Sequence, residues 1–531
     1  MMKKALVINL TRFGDILQSQ PVVSRLHNQG YTVGFVCLDC FEQVPRLLNF
    51  VDEVFPLPAG KFLAGLEKHW ASPLEAYWNW THGVLDEFGA ELVVNLTFTL
   101  PARLLQKSIN APFKTGFCLD EKGFSANSSR WCAFLTAAAH NRRNSPLNLV
   151  DLMSRVERGE AGGSADLKRP APELCQKMRE QFFAGLEETP RGFVGFQLGA
   201  SNARRQWPVQ SFLQVAEELW EKYSLCPVLL GSGGERELAQ TFCQQSQIPV
   251  VNCVGETSLT ELGAMLSMLE LLVTNDTGTM HYAAGLGVKV CALFLSTAQP
   301  WDTGPYRAGA VCLEPNMECH PCHISYECTE DFLCHKILSP EHVLAYVEQL
   351  LGDSRRLESM DASRLKQVRA WETIEDGNGF IDLRSLNGLE ETDRTAWRRM
   401  QRQVYRQFLD ETGGAHEPLN LHGLSQEKSQ EIGTELEQAW QRFFLLEQEM
   451  KILLQRPVEA LKQKVMMNYE RVTSELLQSA HFHVLGALWQ EESQVFAASP
   501  ENFLQVTLRY RKVLEVWKTV LLSNGMQLET L

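Results

Sequence analysis

No apolar run in this 531-residue chain comes near the roughly 20 residues that a membrane-spanning helix needs; the longest, such as residues 288–295, are far shorter. The start, Met1-Met2-Lys3-Lys4 followed by Ala5-Leu6-Val7-Ile8, briefly imitates a secretion signal, but Asn9, Thr11 and Arg12 break the apolar stretch too early. A cytoplasmic location is expected. Positive charge is also in deficit. Fifty Lys and Arg stand against 64 Asp and Glu, a formal net charge of −14, which argues against nucleic acid as a partner. No Asp-x-Asp pair occurs anywhere, so the common closely spaced carboxylate ligands for a catalytic divalent metal are missing. Cysteine is not scarce, at 14 residues. In a reducing compartment those cysteines are free thiols or metal ligands, not a disulfide framework.

What is present is an ordinary globular balance, 44% hydrophobic and 21% charged, in a chain longer than one core can serve. Two or three domains are expected. Residues 4–10, 32–37, 51–57 and 91–96 read as buried strands, with a helix over 16–28 ended by Gly30. A small-residue stretch with Pro170 and Pro172 marks a linker over 158–191, containing a helix at 173–186. Strands then return at 193–198, 227–231, 271–274 and 288–294, with an amphipathic helix over 209–223. The pattern predicts an α/β fold with two Rossmann-like domains facing a cleft, at 1–172 and 173–352. From Asp353 strand signals vanish. Leu436, Trp440, Phe443, Phe444 and Met450 repeat with helical spacing, which predicts a helical extension over 353–531.

Three loops carry residue types suited to chemistry. After the first strand comes Thr11-Arg12-Phe13-Gly14-Asp15, with Pro21 further on. Ligands bind at the carboxyl ends of such strands. Gly14 permits close approach, and Asp15 is either a base or a helix cap. The second loop is Gly199-Ala200-Ser201-Asn202-Ala203-Arg204-Arg205-Gln206-Trp207-Pro208, where arginines beside a helix start suit a diphosphate. The third is Asn275-Asp276-Thr277-Gly278-Thr279-Met280-His281, a strand end running into a small-residue helix whose first amides could cradle phosphate oxygens.

Gly14-Asp15 with Pro21, then Arg205-Gln206-Trp207-Pro208, then Asn275 to His281, in this order, resemble the ADP-heptose:lipopolysaccharide heptosyltransferase family, glycosyltransferase family 9, over about residues 1–352. The resemblance implies a GT-B fold with the acceptor on the first domain and the nucleotide sugar on the second. It gives the general-base role to Asp15, in an inverting and metal-independent transfer. It places donor contacts at Gly14, Arg205, Asp276, Thr277, Gly278, Thr279 and His281, with Glu235 as a ribose ligand. The Arg205 position is often lysine in such proteins, and arginine changes the geometry while keeping the charge. The implied partners are ADP-heptose and a lipid-linked saccharide acceptor at the inner membrane surface, where the protein could sit peripherally. No cofactor is required.

Two further constellations stand outside that pattern. Cys319, Cys322, Cys328 and Cys334 form a compact cluster without standard zinc-finger spacing, open to a structural zinc or to free thiols. Residues 376–382 echo a calcium loop but lack its first aspartate and its closing glutamate. Alternatives to heptose transfer are the same fold with another nucleotide sugar or acceptor, and a non-catalytic scaffold whose helical tail binds a protein partner.

Overall fold

The computed structural model describes residues 3–66, 69–157, 162–186, 188–323, 325–389, 392–410, 424–496 and 499–523. In the first half, β1 (Lys3–Ile8), β2 (Tyr31–Leu38), β3 (Glu53–Leu57), β4 (Leu92–Asn95) and β5 (Phe113–Leu119) form a parallel sheet in the order β3-β2-β1-β4-β5. The short β6 (Ser125–Asn127) adds on antiparallel. Continuous apolar runs such as Ala5 to Ile8 are buried on both faces, as a helix-covered parallel sheet requires. Strand order reverses between β1 and β4. The loop after β1, carrying Gly14 and Asp15, therefore opens at the switch point where such sheets bind ligands.

The second half contains β7 (Gly192–Gln197), β8 (Leu225–Leu230), β9 (Val251–Asn252), β10 (Leu271–Asn275), β11 (Lys289–Leu293) and β12 (Val311–Pro315). Its switch point lies between β7 and β10, which are paired. The loops leaving those two strands are the arginine loop and the Asp276 turn, so the two motifs meet at one crevice. Two α/β halves facing a cleft match the GT-B expectation.

The sequence-predicted helix over 16–28 is two helices, Phe13–Leu17 and Gln20–Asn28. Pro21 has no amide hydrogen to continue the first ladder, and it sits in the first turn of the second helix. The linker is pinned rather than loose, although residues 158–161 and 187 lie outside the described residues. The Leu167 amide donates to the Gly285 carbonyl at 2.9 Å, and the Lys168 amide to the Leu47 carbonyl at 2.9 Å, so this segment holds both halves.

The region after Gly352 departs from the helical reading. β13 (Val368–Glu375) pairs antiparallel with β12, and β14 (Ile381–Ser385) pairs with β13, completing an eight-stranded sheet. The calcium-like loop is the turn of this hairpin. Asp376 Oδ1 accepts from the Asn378 and Phe380 amides, and Oδ2 accepts from Arg402 and Arg406. Alternation in Val368 to Glu375 and the Asp-Gly and Asn-Gly steps after it are hairpin signals, masked by the helix-rich composition around them.

Helices then follow at Asp393–Leu409, Gln426–Gln455, Glu459–Gln478, His483–Phe496 and Pro500–Ser523. They share an aromatic core with Trp489, Tyr510 and Trp517 fully buried. They also dock on the first half. Tyr405 packs on Phe134 with centroids 5.3 Å apart, Trp131 Nε1 donates to Asp410 at 2.9 Å, and Arg130 donates to the Phe408 carbonyl at 3.0 Å. No helix among the described residues is long and apolar enough to cross a membrane.

The extension is therefore part of one continuous hydrophobic cluster with the first sheet's helices. A chain ending at Gly352 would uncover Trp131 and Phe134 and leave β12 as a bare edge. It should aggregate or lose its cooperative thermal transition. A truncated protein that melts cooperatively near the full-length temperature would show the extension to be dispensable.

Candidate functional site

The two halves touch where the first and third loops cross. A Cβ added at Gly14 would lie 3.4 Å from Gly278 Cα and 3.2 Å from His281 Cδ2, and one added at Gly278 would lie 2.2 Å from the Phe13 ring. Both glycines are thus required by close packing between the halves. Beside them Gln18 Nε2 meets His281 Nε2 at 3.0 Å in a buried contact. Burial, and then the charge of Arg142, push His281 down to about 4. It is neutral at physiological pH and acts here as a clamp to the first half.

Asp15 occupies the third position of the helix Phe13–Leu17, whose N-cap is Arg12. It is not the cap, although the Arg12 amide donates to its carboxylate. Burial raises its affinity for a proton above the usual aspartate range. Arg142, the Arg12 amide and the Arg12 side chain act against that rise, and Asp276 adds to it. The same group therefore faces a guanidinium from its own half and a carboxylate from the other.

Arg205 and Asp276 meet directly. Arg205 Nη1 donates to Asp276 Oδ2 at 3.3 Å and Nε donates to Thr297 Oγ1 at 2.7 Å. Thr277 is the N-cap of the helix Gly278–Leu286 and offers no side-chain cap to the first amides of that helix. Thr279 is buried in its first turn.

Glu235 is engaged by the protein itself. Its Oε1 accepts from Gln197 Nε2 at 2.6 Å, and its Oε2 accepts from the Ser232 amide at 2.6 Å and from the Ser232 hydroxyl at 3.0 Å. This is a capping box, whose Ser-x-x-Glu spacing is legible in Ser232-Gly233-Gly234-Glu235. The carboxylate fills the space beside Gly199 and Gly231, where any added Cβ would strike it.

Sequence reasoning missed three groups that hold the site. Asn275, fully buried, donates to the Leu198 carbonyl at 2.9 Å and the Gly199 carbonyl at 3.1 Å, and accepts from the Trp207 amide at 3.0 Å. It ties the arginine loop to the end of β10. Arg142 Nε donates to Asp302 Oδ2 at 2.7 Å across the halves. Its charged form is strongly favoured, first by Asp302 and then, against burial, by Asp276 and Asp15. Nothing local in the sequence marks Arg142 or Asp302; only the fold brings them to Asp15.

Asp15, Arg142 and Asp302 all line a cavity of about 560 Å³ between the halves. Its other walls are largely apolar, with Leu38, Phe41, Leu96, Phe98, Leu135 and Leu152 from the first half. The volume suits a small-molecule site.

All fourteen cysteines are free thiols. The cluster at Cys319, Cys322, Cys328 and Cys334 does not gather three sulfurs around one point. Among the described residues, the one grouping of three such ligand atoms within 4.8 Å is Glu431, Glu435 and His481. Burial raises the Cys334 thiol to about 11, and Cys322 also rises.

Residues 85–332 match the sequence model described as glycosyltransferase family 9 (heptosyltransferase). That span contains Arg205, Glu235 and the Asp276–His281 segment; it begins after Gly14 and Asp15. Lipooligosaccharide heptosyltransferase 2 of Campylobacter jejuni is 28% identical over 170 residues, covering 30% of this chain and 51% of that protein. This chain thus spans about half the length of that relative. Lipopolysaccharide heptosyltransferase 1 of Pseudomonas aeruginosa is 24% identical over 367 residues, covering 66% of this chain and 98% of its own. In fold, the crystal structure of a family 9 glycosyl transferase from Veillonella parvula superposes with a TM-score of 0.51 at 21% identity, over 67% of this chain and 98% of that one.

The His281 clamp has a consequence for stability. Its folded-state affinity for a proton, at about 4, lies below the ordinary histidine value of 6.5. The unfolded chain therefore takes up the proton first. This contribution to stability is complete above about pH 6.5 and is lost as the pH falls toward 4. The melting temperature of the wild type should fall over that window, and His281→Gln, which removes the titration, should flatten the slope. An unchanged slope would mean that other groups govern it.

Proposed function

We propose that this chain, whose residues 85–332 match the family 9 glycosyltransferase model, transfers a heptose from ADP-heptose, with inversion, to a hydroxyl of a lipid-linked lipopolysaccharide-core acceptor. Asp15 serves as the general base. The observation that carries the reading is the meeting of Asp15 and Arg142 from one half with Asp276 and Arg205 from the other, at the switch points of both sheets.

In this scheme the acceptor lies on the first half with its hydroxyl at Asp15. As the oxygen attacks the anomeric carbon, its proton passes to the Asp15 carboxylate, the new C–O bond forms, and the bond to the diphosphate breaks with its electron pair leaving on the diphosphate. A buried carboxylate with raised proton affinity is a stronger base than an exposed one. Charge growing on the leaving group meets Arg205 and the amides at Thr277 to Thr279, which lack a side-chain cap. Asp276 holds Arg205 in place until the donor arrives. Gly14, Gly278 and His281 act on the donor through the junction they form, and Glu235 supports the donor loops from behind, with the ribose as its substrate contact. A transient association with the inner membrane surface would deliver the acceptor.

The apolar walls of the 560 Å³ cavity favour a second reading within the same fold. An acceptor other than a lipopolysaccharide core, with an apolar body next to the reacting hydroxyl, would fit them better than a heavily phosphorylated sugar. The mass of the product formed from each acceptor class separates the two.

Asp15→Asn retains size and loses basicity. General-base catalysis contributes about 10²–10⁴-fold, so kcat should fall by that order while ADP affinity and melting temperature stay near wild type. The acid limb of the wild-type rate profile should lie above the ordinary aspartate range, because ionised Asp15 is the active form and its proton affinity is raised. Retained turnover in the Asn variant would assign the base elsewhere.

Arg205→Ala removes one charge-assisted contact, about 1.5–3 kcal/mol, so ADP should bind roughly ten- to a hundredfold more weakly by calorimetry. Unchanged ADP affinity would put the donor in another crevice.

A further inference from the structure

A second cavity, of about 570 Å³, lies between the second half and the helical extension. Arg143, Arg369, Arg394, Arg398 and Lys428 line it; among the described residues two carboxylates, Glu318 and Asp393, line it with them, and Lys428 is paired with Glu431 at 2.7 Å. Asp393 is already occupied as an acceptor for the Ser425 hydroxyl at 2.7 Å. Behind the wall, the buried Glu314 is the shared counter-charge: its Oε1 lies 3.7 Å from Arg369 and its Oε2 lies 3.1 Å from His320. Among the described residues the four arginines thus outnumber the carboxylates Glu314, Glu318 and Asp393 around them. Burial first, and then the neighbouring guanidiniums acting against Glu314, push Arg394 down to about 9 and Arg398 to about 10. Both remain charged at neutral pH, held close to like charges.

The walls carry an orphan as well. His320 is 1% exposed, and its Nδ1 has no hydrogen-bond partner among the described residues. Arg398, in the wall, is held by Gln299 Oε1 and the Arg143 carbonyl, and Arg394 is held by the His320 carbonyl.

The cavity is also close to the catalytic cleft. Arg143, Ala480 and His483 line both it and a third cavity, whose wall includes Arg205 and Arg142. The turn from Leu477 to His483 forms the extension's side of that third cavity, and His483 is fixed to Asn141 of the first half. Thus the extension, which lies outside the matched family span, closes a cationic space next to the donor arginine.

We propose that this cavity, closed by the helical extension, binds a phosphate-class anion, and that the anion is a phosphate or diphosphate group carried by the acceptor while its hydroxyl sits at Asp15. The source of the anion rests on the transferase reading above; its binding does not. Charge-assisted hydrogen bonds to guanidiniums are the strong ones, and arginine forks match phosphate oxygens. An anion would also relieve the mutual repulsion of Arg394 and Arg398.

The test titrates inorganic pyrophosphate into the full-length protein by calorimetry with the donor crevice saturated by ADP. Wild type should bind it at one site, more weakly as salt rises. The double variant Arg143→Gln with Lys428→Gln should lose roughly tenfold or more in pyrophosphate affinity, with ADP affinity and melting temperature unchanged; Arg143→Lys with Lys428→Arg should restore binding. In turnover, the Gln pair should raise KM for a phosphorylated acceptor and leave KM for its dephosphorylated form alone. If pyrophosphate binding depends on these residues but KM for both acceptor forms is unaltered, the ligand is a free anion and the acceptor assignment is overturned. If pyrophosphate does not bind beside ADP, or binds the Gln pair as tightly as wild type, the site itself is overturned. Loss of pyrophosphate binding in the Gln pair, in a protein that transfers no sugar, would leave the anion site standing and remove the transferase reading.

Discussion

The close approach of Gly14 to Gly278, with Gln18 holding His281 beside it, is the constraint on which the rest depends. Two sheets, each with its own switch point, become one cleft where the helix Phe13–Leu17 packs on the helix Gly278–Leu286, with the Phe13 ring against Gly278 and the His281 ring against Gly14. The backbone contact brings the helix that bears Asp15 against the helix that follows Asp276. It lets Arg142 reach Asp302 across the gap and leaves the 560 Å³ cavity open on the first-half side. A side chain at Gly278 would strike the Phe13 ring and one at Gly14 would crowd His281, so either would press the two halves apart.

Charge in the cleft is balanced by alternation. Asp15, Asp276 and Asp302 are interleaved with Arg142 and Arg205. Asp276 is paired with Arg205 and Asp302 with Arg142, and Arg142 also acts against the burial of Asp15. Asn275 contributes a neutral counterpart. Its amide satisfies carbonyls of one donor loop while its oxygen takes the Trp207 amide, so loops from two different strands keep a fixed spacing.

The extension changes the meaning of the last third of the chain. It begins by adding a hairpin to the second sheet. Arg155, Arg402 and Arg406 surround the Phe380 ring of that hairpin, with Arg155 3.5 Å and Arg406 3.7 Å from its centre. The helices that follow cover Trp131 and Phe134 of the first half and then return, through the turn before His483, to the rim of the cleft. It is thus both a brace across the two halves and part of the wall around the arginines.

Much of this was legible in the sequence. Buried parallel strands write themselves as apolar runs, so the strands expected at 4–10, 32–37, 193–198, 227–231 and 271–274 lie in β1, β2, β7, β8 and β10, and the helix at 209–223 matches Val209–Tyr223. The three loops were findable because a strand end followed by glycine and a polar residue is a local signal. The hairpin Val368 to Ser385 was obscured because its strands interleave Arg369, Glu372 and Arg384 with apolar residues and are set in helix-rich surroundings. Sequence alone determined the two α/β halves, the helical character of most of the last third, and the Asp15, Arg205 and Asp276 candidates. Only the tertiary structure decided that Gly14 packs against Gly278, that Arg142 and Asp302 join the site, and that the extension is docked. Those outcomes depend on contacts between residues a hundred or more positions apart, and on whether a polar atom's partner is protein or ligand, which no local spacing records.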